Sequence, residues 1–158
     1  MKRNIGQRTI AITVMAMALA SLVPSAVAQQ CSSAGAVGKY AFSDHGTVIG
    51  VGPRAAVGLL TFKPSGQIEG TVTASLDGNI AQTVLSGTYA VNPDCSGTAT
   101  FGEFDGSGNL ILTVTVAIAW DASMQEARFL FTSVVLADGP SLPIAIDGDA
   151  RKLGASQE

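Results

Sequence analysis

After residue 35 the chain alternates between apolar and polar residues. The stretch QIEGTVTASL at residues 67–76 places Ile68 and every other apolar or small residue on one face, and every polar residue on the other. Successive side chains of a β-strand point to opposite faces of the sheet, so this pattern predicts a strand with one buried face. The same alternation recurs in the segments that follow and predicts an all-β domain.

Clusters of Gly, Pro, Asn, Asp and Ser divide this pattern into segments of about ten residues. They predict eight strands, at residues 37–43, 55–63, 67–76, 80–91, 97–104, 109–120, 126–137 and 143–152. Short links favour an antiparallel up-and-down meander, and eight strands can close a small barrel. We therefore expect an eight-stranded antiparallel up-and-down barrel, with residues 44–54 as a long loop at one mouth.

The predicted buried face of residues 67–76 is only half filled. Gly70 and Ala74 leave room that Leu or Phe would occupy. Small inward residues fit either a tight bend of the barrel wall or a cavity for an apolar ligand. The bend is the favoured interpretation, and the cavity stays open as the alternative.

Two later segments carry apolar residues on both faces. The run NLILTVTVAIAW at residues 109–120 has no charge, and the segment at residues 126–137 is apolar on both sides past Arg128. A strand of this kind is usually covered on both sides. We expect the outer face to be covered by a second copy, in a homo-oligomer, or by the chain's own N-terminal segment.

The first 28 residues have the order of a secretory signal. Three basic residues precede an apolar run at residues 10–23, and the small-residue triplet AVA ends at Ala28. The run is shorter than the roughly 20 residues that span a membrane. We expect cleavage after Ala28, a single domain at residues 29–158, and export to the periplasm or the extracellular space.

The charge balance argues against two classes of partner. The leader contains three of the nine basic residues and none of the twelve acidic ones, so the mature chain is acidic. Such a chain offers no basic surface to nucleic acid or anionic lipid. An outer-membrane barrel would carry paired belts of aromatic residues, whereas the chain has one Trp and two Tyr. We expect neither nucleic-acid binding nor stable membrane insertion.

The chain has two cysteines, Cys31 and Cys95. Export takes both into an oxidising compartment, where a pair normally forms a disulfide. There is no CxxC motif, and the single histidine leaves too few ligands for a metal site. We expect a structural disulfide that ties the mature N-terminus to a turn in mid-chain, and neither a metal nor a cofactor.

Three segments resemble a family of small exported bacterial proteins, most of them uncharacterised. They are GLLTF at residues 58–62, SGTYAVNPDCSGT at residues 86–98 and GDARK at residues 148–152. The most specific part is the GTYxVNxDCxGT motif. The resemblance implies a calycin-like barrel, similar to allene oxide cyclase or the lipocalins, and it brings no agreed activity.

No motif for catalysis stands out. GVGPRA at residues 50–55 lacks the following helix that a dinucleotide-binding site needs. Residues 105–109 have the start of a calcium-binding loop but lack its later ligands. The sequence contains no nucleophile motif for which His45 could act as the catalytic base. We interpret residues 105–109 as a hairpin turn and His45 as a solvated side chain.

The candidate ligand-binding residues are those able to line the barrel interior or its mouth. They comprise aromatic residues with polar tips, small inward residues and the one cation of residues 44–54: Tyr40, Arg54, Gly70, Ala74, Tyr89 and Trp120. Glu103 and Arg128 would matter if they pointed inward, whereas alternation places Glu69 outside.

We expect an exported binding module that encloses a small apolar or amphipathic molecule, rather than an enzyme. One alternative is a structural or surface-interaction protein with a filled barrel. The other is a cofactor-free cyclase or isomerase, which only fold analogy supports.

Overall fold

The structure, a computed structural model, describes residues 31–154. A four-residue helix, α1 (Ser33–Ala36), precedes eight strands. The strands are β1 (Gly38–Val48), β2 (Gly52–Phe62), β3 (Gln67–Leu76), β4 (Asn79–Val91), β5 (Ser96–Phe104), β6 (Leu110–Trp120), β7 (Glu126–Leu136) and β8 (Ile144–Lys152). The expected signal peptide lies outside the described residues. No helix among residues 31–154 has the length and apolar character needed to cross a membrane.

Each strand pairs antiparallel with the next along the chain, and β8 pairs with β1. The eight strands therefore close an up-and-down barrel, which confirms the predicted fold class. α1 lies at one end, here called the lower end, with the turns at residues 63–66, 92–95 and 121–125. The links at residues 49–51, 77–78, 105–109 and 137–143 lie at the other, upper end.

Residues 44–54 are not a loop, and that prediction was wrong. β1 continues through Val48 and β2 begins at Gly52, so a tight turn joins them. The SDHG sequence resembles a turn signal, but the side chain of Asp44 has a partner inside the barrel. A Cβ on Gly46 would lie 2.1 Å from a carbonyl oxygen of β8, so close strand approach requires glycine there. Tertiary contacts thus override the local preference.

A bulge explains why the sequence of β7 is apolar on both faces. Phe131 and Ser133 pair with consecutive residues of β6, so Thr132 is an extra residue in the ladder. The alternation shifts there by one position, and Phe131 and Val134 are both buried. Of the outward side chains, Leu130 is 52% exposed. Covering of this outer face by a second copy stays a prediction.

The N-terminal residues close the lower end of the barrel. Cys31 and Cys95 form the predicted disulfide, with their Cα atoms 4.9 Å apart. Ala36 of α1 is fully buried, and Lys152 donates from Nζ to the carbonyl oxygen of Gly35 at 2.9 Å. Residues 31–36 therefore cover this end rather than the outer face of β6 and β7.

Candidate functional site

Three charged side chains meet inside the upper half of the barrel: Asp44 of β1, Arg54 of β2 and Glu103 of β5, here called the charged trio. Their side chains are 1%, 10% and 7% exposed, respectively. Arg54 donates from Nε to Oδ1 of Asp44 at 2.9 Å and from Nη2 to Oδ2 at 3.3 Å. The same Nη2 lies 3.7 Å from Oε1 of Glu103, which is an ion pair longer than a hydrogen bond.

Two neighbours complete the surroundings of the trio. Thr83 of β4 donates from its hydroxyl to Oε2 of Glu103 at 3.2 Å. The centroid of the Phe131 ring lies 5.6 Å from Cζ of Arg54, a distance at which the ring face attracts a cation. The strand ladder is irregular next to both Glu103 and Phe131. Bulges of this kind often redirect side chains beside functional sites.

Burial and charge act in opposite directions on the trio. Burial raises the pKa of Glu103, and Asp44 adds to the rise, while Arg54 and the Thr83 hydroxyl offset part of it. Burial also disfavours charge on Arg54, but the hydrogen bond and charge of Asp44, together with the charge of Glu103, outweigh it, so the pKa of Arg54 is raised. Arg54 is therefore charged and paired with Asp44, whereas Glu103 holds a proton more readily than an exposed glutamate does.

The trio borders a small apolar cavity in the middle of the barrel. Its volume is about 30 Å³. The lining is mainly aromatic and aliphatic and includes Phe42, Leu60, Ala99, Phe101, Val116 and Phe131. This is room for about one water molecule, whereas pockets for drug-sized ligands measure roughly 300–1,000 Å³. The interior is nearly filled by its own side chains.

The arrangement has two chemical capabilities. Oε1 of Glu103 can accept a hydrogen bond from a donor, or pair with a cation, that reaches the cavity. A carboxyl group of raised pKa can also exchange a proton with a bound molecule. Within the described residues, no three His, Cys, Asp or Glu side chains are grouped so that they could hold a metal ion.

The predicted binding residues do not form one group. Arg54 belongs to the charged trio. Tyr40, Tyr89 and Trp120 instead surround Phe62 at the lower end, and their ring centroids lie 5.1, 4.8 and 6.2 Å from that of Phe62. We call these four residues the lower aromatic cluster.

The hydroxyl groups of the lower aromatic cluster bond to the protein's own backbone. Tyr40 donates to the carbonyl oxygen of Met124 at 2.9 Å, and Tyr89 to that of Lys63 at 2.8 Å. Nε1 of Trp120 is buried and has no hydrogen-bond partner within residues 31–154. The cluster thus fills the lower end, and a role for it in ligand binding stays a prediction.

Gly70 and Ala74 lie on the inward face of β3. A Cβ on Gly70 would lie 2.1 Å from the carbonyl oxygen of Leu59 and 3.0 Å from the side chain of Leu60. The neighbouring strand β2 therefore approaches closely at Gly70 and leaves no room there for a larger side chain. Ala74 is half-buried and packs against the core near the upper end. Neither residue is among those that line the central cavity.

Sequence reasoning missed Asp44 and left Glu103 undecided. Simple alternation reveals both, because Asp44 lies two residues after the buried Phe42, and Glu103 lies two residues after the buried Phe101. Assigning residues 44–54 to a loop stopped the alternation before Asp44 and concealed the direction of the Arg54 side chain.

The remaining charged candidates lie at the surface. Arg128 is exposed, and so is Glu69, as alternation predicted. The side chain of His45 is 73% exposed and lies 3.9 Å from a carboxylate of β8. Asp105 accepts hydrogen bonds from the backbone of Ser107 and Asn109, which agrees with the interpretation of this segment as a hairpin turn.

No protein-family model matches the chain, and no curated protein matches it. Several solved structures do match. One is EF1p2_mFAP2b bound to DFHBI, with 10% identity and a TM-score of 0.57, covering 80% of this chain and 99% of that chain. A redesigned beta barrel, mFAP1, bound to DFHBI, has 13% identity and a TM-score of 0.52, covering 77% and 98%. The redesigned beta barrel b11L5F_LGL has 14% identity and a TM-score of 0.52, covering 78% and 96%. At these identities the likeness establishes the barrel fold alone.

Proposed function

We propose that this chain is an exported barrel that binds one small amphipathic molecule in its upper interior. The polar group of the ligand lies at the charged trio, and its apolar part lies among the rings and aliphatic side chains around the central cavity. Export is supported by the disulfide between Cys31 and Cys95, because such bonds persist in oxidising compartments.

The observation that carries the proposal is the burial of the charged trio beside an apolar cavity. A buried ion pair is often no more stabilising than apolar residues of similar volume, so stability alone does not account for it. The trio also holds a second carboxylate, Glu103, which one guanidinium does not fully pair. A carboxyl group of perturbed pKa that borders a cavity is a candidate for a functional site.

Barrels of similar fold support the proposal only by analogy. Two of the matching solved structures are bound to DFHBI, so a barrel of this architecture is able to hold a small molecule. With a cavity of about 30 Å³ in the present chain, a ligand must displace interior side chains to enter. Phe131 borders both the cavity and Arg54, so its ring is the side chain we expect to move.

The small volume of the cavity favours a second candidate function. A barrel filled by its own side chains would serve as a structural or surface-interaction protein. The cyclase or isomerase alternative rests on fold analogy and on the proton that Glu103 could exchange.

The test combines native mass spectrometry with a cavity-filling variant. The protein is purified without denaturation from the culture of its own host, and its mass is compared with that of the polypeptide. Ala99→Val adds two methyl groups to the lining of the cavity, while the matched control Ala117→Val adds them to an exposed position of β6. We expect a bound small molecule in the wild type and in Ala117→Val, and its loss from Ala99→Val.

A filled structural barrel gives the opposite result. No molecule would accompany the wild type, and Ala99→Val would change only the stability, upward if it fills the cavity or downward by roughly 1–3 kcal/mol if it overpacks the core. That pattern would replace the binding proposal by the structural one.

A further inference from the structure

The charged trio has an excess of negative charge whenever Glu103 is ionised. It contains two carboxylates and one guanidinium, and both hydrogen bonds that Arg54 makes within the described residues go to Asp44. Arg54 and Asp44 therefore neutralise each other at short range. Glu103 is left with a longer ion pair of 3.7 Å to the same guanidinium.

One oxygen of Glu103 has no hydrogen-bond donor within residues 31–154. Thr83 donates to Oε2, while the contact of Oε1 with Arg54 is longer than a hydrogen bond. The side chain is 7% exposed, and the residue lines the central cavity. An ionised carboxylate is costly to bury unless a donor or a cation pairs with it. A ligand group that reaches this oxygen would supply the hydrogen bond that it lacks within residues 31–154, in addition to its ion pair with Arg54.

The remaining wall of the cavity suits a cation with an apolar tail. The rings of Phe42, Phe101 and Phe131 line it, and aromatic faces attract cations. An anionic ligand would add a third negative charge where the single guanidinium is already paired. We therefore expect the cavity to discriminate between ligands by charge as well as by shape.

We infer that the ligand carries a primary ammonium group that pairs with Oε1 of Glu103, and that its alkyl or aryl part lies against the aromatic lining. The inference rests on the proposed function and names the chemical class of the molecule that the site takes. Glu103 is the residue that sets specificity, and Arg54 with Asp44 positions it.

The test compares three probes of equal chain length by titration calorimetry at pH 7: n-butylammonium, n-butanol and n-butyrate. They differ in the charge of the head group and share the apolar tail. The variant is Glu103→Gln, which keeps the shape of the side chain and removes its charge. The control is Glu126→Gln, at a surface carboxylate whose side chain is 65% exposed.

We expect wild type and Glu126→Gln to bind n-butylammonium at least tenfold more tightly than n-butanol, and n-butyrate more weakly than both. Glu103→Gln should reduce the preference for the ammonium over the alcohol to less than threefold, while its thermal unfolding transition stays cooperative. Equal binding of alcohol and ammonium in the wild type would overturn the inference and leave the proposed function standing. Tightest binding of n-butyrate would also overturn it, because Arg54 would then recognise the ligand. If none of the three probes binds, the inference fails, and the native mass spectrometry of the protein from its own host decides the proposed function separately.

Discussion

At the lower end of the barrel, the buried hydroxyl groups of Tyr40 and Tyr89 bond to backbone carbonyl groups, and a disulfide fixes the covering segment in place. In the upper interior, Glu103 is buried with one carboxylate oxygen lacking a donor among the described residues. The first arrangement stabilises the fold through two satisfied hydroxyl groups and packed rings, although Nε1 of Trp120 has no hydrogen-bond partner within residues 31–154. The second costs free energy that an apolar side chain would not cost. From this difference we expect stability to depend mainly on the lower end, and we propose that ligand recognition takes place in the upper interior.

Removal of the disulfide should have the largest effect of the changes that test this comparison. The double variant Cys31→Ser, Cys95→Ser opens a loop with a sequence separation of 64 residues. We expect a loss of about 4 kcal/mol in the free energy of unfolding, because the unfolded chain regains its freedom. Urea denaturation of the variant and of the oxidised wild type measures this difference in the free energy of unfolding. A change below about 1 kcal/mol would show that the covering segment contributes little to the stability of the lower end.

Substitution of Asp44 should have the next largest effect on the free energy of unfolding. Asp44→Asn leaves the buried Arg54 without its ionised partner, and breaking a buried pair costs about 3 kcal/mol or more. The control is Asp147→Asn, where the carboxylate is 65% exposed, and we expect a change of less than about 0.5 kcal/mol there. Equal effects of the two variants in urea denaturation would contradict the burial of the pair.

Removal of a hydroxyl group at the lower end should have a smaller effect. Tyr40→Phe leaves the buried carbonyl oxygen of Met124 without this donor, and we expect a loss of about 1–2 kcal/mol. Thr98→Val removes a hydroxyl from an exposed position of β5 and serves as the control. If Tyr40→Phe were as harmless as Thr98→Val in thermal denaturation, the hydrogen bond would not be a source of stability.

Substitution of Glu103 should have the smallest effect on stability and a characteristic pH dependence. The pKa of Glu103 is raised by burial in the folded state, so its stabilising contribution is present below the usual glutamate pKa and is lost as the pH rises through the raised value. Glu103→Gln removes the excess charge while Asp44 still pairs with Arg54. At pH 7 we expect it to be neutral or to stabilise by up to about 1 kcal/mol.

Unfolding experiments from pH 4 to pH 8 check this prediction. The difference in the free energy of unfolding between Glu103→Gln and the wild type should move in favour of the variant as the pH rises. A strong destabilisation by Glu103→Gln at pH 7 would instead make Glu103 a structural partner of Arg54, and the contrast between the two ends would weaken.

The barrel and the disulfide could be predicted from the sequence because both follow from local patterns. Alternation and turn residues predict the strands, and the expectation of export for a chain with two cysteines predicts the pairing of Cys31 with Cys95. The charged trio depends on strands that lie far apart in sequence, since Glu103 of β5 meets Asp44 and Arg54 of the first hairpin across the interior. Alternation gives the direction of each side chain but not which residues meet inside a closed barrel.

The loop predicted at residues 44–54 was wrong and the interpretation of β7 was incomplete, for two different physical reasons. The polar residues at 44–54 indicate a loop, because a charged residue is expected at the surface unless its buried partner is known. The bulge at Thr132 shifted the inward face of β7, so Phe131 and Val134 both point inward. Bulges leave no reliable signal in a single sequence.

The most direct test of the central claim is amide NMR of the folded protein titrated with n-butanol, a neutral probe that does not depend on the charge of the head group. We predict that the largest chemical-shift changes fall on the amides of Arg54, Thr83, Glu103 and Phe131. The amides of Tyr40, Tyr89 and Trp120 at the lower end should change little. Changes confined to the lower aromatic cluster or to the outer face of β6 and β7 would contradict the account.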